Sequence, residues 1–149
     1  MSSSSQEELL DEVKRLGERI RSADKHLPAD FYEVLQALEE EGEYEQTFSI
    51  TIEGEEITLR LNIRAKDKKR PSSWQVALKF HNKRVDCIDY EPGLGWHQHG
   101  WNRETLAEKE KTSLPEMTNK MSDRYQATLE NWLRLALSLM KITTRRLRT

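Results

Sequence analysis

At Tyr44 the spacing of apolar residues changes from about 3.6 to 2, and this single change decides the class of fold. Upstream, Leu9, Leu10, Val13, Leu16 and Ile20 recur at the i, i+3/i+4, i+7 spacing of an amphipathic helix over 6–22. After a turn over 22–28, Asp30 is placed to cap a second helix carrying Phe31, Val34, Leu35 and Leu38, with Glu33 in the first turn, ending at Gly42. The acidic run Glu39–Glu40–Glu41 opposes the helix dipole and predicts a frayed end. Downstream, Phe48, Ile50 and Ile52 alternate with polar residues, and Ile57, Leu59, Leu61 and Ile63 do so again beyond a turn over Glu53–Gly54–Glu55–Glu56. Such alternation makes a hairpin with one apolar and one wet face. Trp74, Val76, Leu78 and Phe80 form a third strand, Asn82–Lys83 a tight turn, and Val85 to Tyr90 a fourth. Ser122 can cap a long helix over 123–143, with Tyr125, Leu129, Trp132, Leu133, Ala136, Leu137 and Met140 on its stripe and Leu135 and Leu139 widening it.

The expected fold is therefore α+β: an antiparallel meander of four to five strands, two helices before it and one long helix after it. A chain of 149 residues fits one domain. Within it, 1–5 reads as a disordered serine run, 6–41 as helical, 44–101 as the sheet with a histidine loop, and 122–143 as the last helix. No apolar run approaches the roughly 18 residues a membrane span requires. The N-terminus lacks the basic and apolar regions of a signal peptide. Cys87, the one cysteine, fits a reducing compartment and reads as a small buried hydrophobe rather than a nucleophile. A cytoplasmic protein without a membrane contact is expected.

Charge is divided unevenly. Residues 1–56 hold 16 Asp and Glu against 5 Lys and Arg, a net of −11, whereas the remainder carries a net of +9. The two parts can simply attract each other on folding, or the basic part can present a nucleic-acid surface. Lys66, Lys68, Lys69 and Arg70 cluster in one loop, and Arg145, Arg146 and Arg148 near the C-terminus. Either cluster could meet phosphates or remain a solvated face.

Chemistry concentrates in Gly95-Trp96-His97-Gln98-His99-Gly100-Trp101. In an extended chain, His97 and His99 project to the same side. Two imidazoles there can bind a divalent metal, with His81, Asp89 or Glu91 as a further ligand, or share acid and base duties near neutral pH. They can equally be polar residues at a strand end. Trp96 and Trp101 can stack on bases or plug the core. Should Val85 face the core, alternation places Asp89 there too, where it could orient a histidine. Arg84 and Arg103 are the nearby cations suited to a phosphate.

A strand with Arg84, then Asp89 and Tyr90, then a Gly/Pro-rich segment with His97 and His99, resembles the TumE-like toxins of prokaryotic toxin–antitoxin modules over about 74–101. The spacing after Arg84 and the long N-terminal helical extension depart from that pattern. The resemblance implies a cytoplasmic protein, an antitoxin partner and an RNA target. Three readings follow. The first is a ribonuclease using His97, His99, Asp89 and Arg84, without a resident cofactor. The second is a non-catalytic module for protein or nucleic-acid binding, with its acidic helices on one partner and its tryptophan-lined loop on another. The third is a metal-dependent enzyme with a His-x-His site. A homodimer through the wide stripe of the last helix is also open.

Overall fold

The structure, a computed structural model, describes residues 2–65, 73–91, 95–101, 108–113 and 128–145; for 2–5, 99–101 and 108–113 it describes the backbone. It is of the α+β class. Helix α1 (Ser2–Ser22) is followed by strand β1 (Lys25–Asp30), helix α2 (Phe31–Glu41), and strands β2 (Glu43–Ile52), β3 (Glu55–Arg64), β4 (Trp74–Phe80), β5 (Lys83–Glu91), β6 (Gly95–Trp101) and β7 (Glu108–Ser113). Helix α3 (Leu129–Leu139) and strand β8 (Ile142–Arg145) complete the order. Strands β2 to β7 form an antiparallel meander in sequence order, and β1 pairs with β8 in a separate parallel ribbon. No helix among the described residues is long and apolar enough to cross a membrane.

Local chemistry explains the well-read elements. The Asp30 carboxylate accepts a hydrogen bond from the Tyr32 backbone N–H at 2.9 Å, satisfying an orphan donor at the start of α2. The acidic end of α2 is not left open: Gly42, at φ 81°, closes it by donating its N–H to the Leu38 carbonyl. Two hairpins turn on two residues with positive φ, Glu53–Gly54 and His81–Asn82, the geometry that matches strand twist. The second turn is therefore one residue earlier than the sequence predicts.

One face of the sheet is apolar. Leu59, Leu61, Ile63, Val76, Leu78, Phe80, Ile88 and Trp96 join Val13, Leu16 and Ile20 of α1, Val34 and Leu38 of α2, and Trp132, Leu133, Ala136 and Leu137 of α3 in one buried cluster. Ion pairs hold α1 at the hairpin ends, Arg15 to Glu55 and Arg19 to Glu53, and the Glu12 carboxylate lies 3.5 Å from His81 Nε2. Lys25, 2% exposed, sits below the end of α1 and donates to the carbonyls of Ile20, Arg21 and Ala23 at 2.7, 3.3 and 2.8 Å. Burial lowers its pKa to about 8, and attraction to Asp86 opposes that shift.

Several expectations need correction. The serine run belongs to α1, which reaches back to Ser2. The turn over 22–28 contains β1, hidden because its inward positions are Lys25, Leu27 and Ala29 and its middle is Pro28. The last helix ends at Leu139; Ile142 to Arg145, a β-branched run, is strand, and 123–127 lie outside the described residues. That helix is buried on one side, with Leu139 41% exposed, so its stripe is narrower than the leucine pattern implies. The histidine loop is strand β6, and β7 gives the meander a sixth strand.

Candidate functional site

The opposite face of the sheet carries the polar chemistry. Along β5 and β6 the register pairs Cys87 with His99 and Asp89 with His97, on adjacent rungs. Directly opposed residues in an antiparallel ladder have Cβ atoms about 5 Å apart, and same-face neighbours along a strand stand roughly 7 Å apart. Positions 87, 89, 97 and 99 thus form a small square on one face. Cys87 is fully buried and Asp89 is 9% exposed, whereas His97 is half-buried. The Cys87 thiol donates to Asp89 Oδ1 at 3.6 Å, and the exposed Arg84 reaches Cys87 Sγ with Nη1 at 3.9 Å. His97 Nδ1 is buried and, among the described residues, has no hydrogen-bond partner. A buried ring nitrogen without a partner costs free energy, and the indole nitrogens of Trp96 and Trp132 on the packed face share that condition.

A bulge puts Asp89 on this face. Leu78 opposes Asp86 and Lys79 opposes Arg84, which leaves Val85 as an extra residue on β5. Val85 enters the core and alternation restarts: Asp86 and Ile88 take the apolar face, Cys87 and Asp89 the polar one. The expectation that Val85 and Asp89 share the core face fails for this reason. Its consequence, Asp89 beside a histidine, holds by another route.

The four residues expected to carry catalysis, Arg84, Asp89, His97 and His99, are therefore brought together on neighbouring strands. The expected nucleic-acid contacts fare differently. Trp96 is fully buried, with its ring centroid 6.0 Å from that of Trp132 and 6.1 Å from that of Tyr90. It alternates onto the core face and is a packing residue, not a stacking platform for bases. Trp101 ends β6 at the rung shared with Glu108. Lys66, Lys68, Lys69, Arg70, Arg103, Arg146 and Arg148 lie outside the described residues. Arg145 is used within the fold, donating to the Pro28 carbonyl at 3.2 Å. His81 occupies the hairpin turn against Phe80 and Glu12, eight residues along β5 from Asp89, roughly 25 Å at strand rise, and cannot join His97 as a metal ligand. Among the described residues no group of three His, Cys, Asp or Glu is placed to hold a metal ion.

Sequence reasoning missed two participants. Asp86, 3% exposed, accepts from the Cys87 backbone N–H at 3.0 Å and from Gln98 Nε2 at 3.1 Å. It is a buried carboxylate under the site. Cys87 was read only as a core residue, and it is buried, but on the polar face. The bulge conceals both, since Val-Asp-Cys-Ile-Asp breaks strict alternation.

The rest of the polar face neutralises itself. Arg64 pairs with Glu43 at 3.4 Å and Arg60 with Glu45 at 3.5 Å. Each pair joins an acidic residue of the first part of the chain to a basic residue of the second. Comparison with known proteins adds no name: no family model, curated protein or solved structure matches the chain.

Proposed function

We propose that this protein cleaves RNA at the polar face of β5 and β6, as a toxin-like component of a prokaryotic toxin–antitoxin or defence module. The observation that carries the proposal is the half-buried imidazole of His97, its Nδ1 unpartnered, opposite the Asp89 carboxylate and next to the rung of Cys87 and His99. One histidine takes the proton of the RNA 2′-hydroxyl as that oxygen bonds to phosphorus. The other gives a proton to the departing 5′-oxygen, leaving a 2′,3′-cyclic phosphate and a free 5′-hydroxyl. Asp89 orients the imidazole, and the exposed Arg84 guanidinium offsets charge on the phosphorane.

The test is cleavage of a single-stranded RNA by the purified protein in the presence of a chelator. Cyclic-phosphate ends are expected. A substrate with one 2′-deoxy position should resist cleavage there. Replacing His97 by Ala should lower the rate by about 10²–10⁴-fold. Unchanged rates in both His97→Ala and His99→Ala would overturn the reading. In a bacterial host, induced expression should arrest growth, and the double histidine variant at matched soluble levels should relieve it.

The binding-module reading is favoured by one separate observation. Near the start of α1, Leu9 is 43% and Leu10 37% exposed among Glu7, Glu8 and Asp11. An antitoxin or other protein partner with a basic, apolar-lined surface would fit there, and capture of such a partner by protein that leaves RNA intact would favour it.

A further inference from the structure

The His97–Gln98–His99 strand is poorly specified by its own sequence. It lies between Gly95 and Gly100, and its alternate positions are polar on one side and a tryptophan and a glutamine on the other. In a strand, a slip of one residue exchanges every side chain between faces. Here it would send both histidines into the core and Trp96 out of it. Something must fix the register, and apolar patterning supplies only Trp96.

The second anchor is polar. Gln98 lies on the core side of β6, opposite Ile88, and donates its amide to Asp86 Oδ1 at 3.1 Å. Asp86 is itself held in the bulge by the Cys87 N–H at 3.0 Å and faces the buried Lys25, which attracts it. Continuing the register, the position on β6 opposite Asp86 is Gly100, which brings no side chain and leaves room for the amide. Lys25 in turn holds the terminal carbonyls of α1. Two sets of polar bonds thus stand in an otherwise apolar layer, one at the end of α1 and one at the strand that bears the histidines, with Lys25 and Asp86 attracting each other across it.

We infer that the Asp86–Gln98 hydrogen bond is a register lock, a positioning pair that holds β6 so that positions 97 and 99 face Asp89 and Cys87 rather than the core. A buried carboxylate is costly unless fully bonded, and its bonds are directional. That makes it a better register marker than another leucine, which would tolerate a slide. The lock stands on geometry alone; only its importance for RNA cleavage rests on the function proposed above.

The test compares three variants by NMR and by hydrogen exchange. Gln98→Leu removes the donor while leaving Asp86 bonded to the Cys87 N–H. Asp86→Leu removes the acceptor. Asp86→Asn keeps a carbonyl oxygen for Gln98 and serves as the conservative rescue. The wild type should show cross-strand contacts between the Asp89 and His97 backbones. In Gln98→Leu and Asp86→Leu those contacts should weaken or shift register. Amide exchange in β6 should accelerate at least tenfold while β2, β3 and β4 stay protected, and the His97 imidazole nitrogen shifts should move toward those of a free histidine. Asp86→Asn should restore the wild-type signature. Wild-type imidazole shifts and β6 protection in Gln98→Leu would overturn the lock, even should Asp86→Leu fail to fold. Because these readouts need no RNA, an inactive wild type would defeat the proposed function and leave the lock to be judged separately.

Discussion

Strands β5 and β6 are two different materials on their two faces. On one side Tyr90 and Trp96 pack against Trp74 and Trp132 beside the buried Ile88, with ring centroids 5.1 to 6.1 Å apart. On the other, one residue along, stand Cys87, Asp89, His97 and the position of His99, with the Cys87 thiol bonded to the Asp89 carboxylate. The first face spends its residues on packing, where volume and shape decide stability. The second holds polar groups at defined spacing where packing gains little. A single strand can thus serve stability and chemistry at once, provided its register is secure.

The contrast can be broken in several ways, and the largest effect belongs to the packed face. Trp132→Ala should destabilise by about 3–5 kcal/mol in urea titrations, since a fully buried indole leaves a cavity its neighbours cannot fill. The same substitution at Trp96 should match it and should not act first on RNA affinity. Next is the lysine buried in the apolar layer. Lys25 titrates near 8 in the folded protein against 10.5 when free, so the folded state binds fewer protons than the unfolded chain between those values. Stability should therefore rise with pH there, by about 2 kcal/mol from pH 7 to 9.5, and Lys25→Met should abolish the slope. Above pH 10 Tyr44, whose pKa burial raises, pulls the other way, so the comparison belongs below that range. Asp30→Ala, at a helix start remote from both faces, should cost about 1 kcal/mol and calibrate the scale. On the polar face, His97→Leu should change stability by less than about 0.5 kcal/mol or raise it, because it deletes an unpaired buried nitrogen. A loss above 2 kcal/mol there would make His97 a packing residue and erase the distinction between the faces.

These same differences explain which parts of the molecule can be read from its residues. Hairpin β2–β3 is legible because Phe48, Ile50, Ile57, Leu59 and Leu61 obey one rule, apolar inward every second position. The cap at Asp30 and the stop at Gly42 are legible because they satisfy local backbone groups. Strand β1 is not, since a lysine stands at an inward position and Pro28 interrupts the run, while the partner strand that completes it begins at Ile142, far along the chain. Strand β6 is not, since its inward residues are Trp96 and Gln98, and glutamine becomes an inward residue only once Asp86 is known to wait for it. The candidate site was legible as composition, in the histidine pair and Asp89. Its geometry was not, because the Val85 bulge reverses the parity on which any alternation argument depends.

The parallel ribbon of β1 and β8 has a consequence for how the chain comes to be made. Lys25 pairs with Ile142, 117 residues later. Ribosomes add about 5–20 residues per second, so β1 emerges roughly 6–23 s before the strand that completes it. During that interval the backbone edge of β1 that pairs with β8 has no partner strand, and contacts of such long range close slowly even afterwards. The nascent protein therefore passes through a stage in which its sheet can be assembled but its first strand still waits, and a chain halted before Ile142 would remain there.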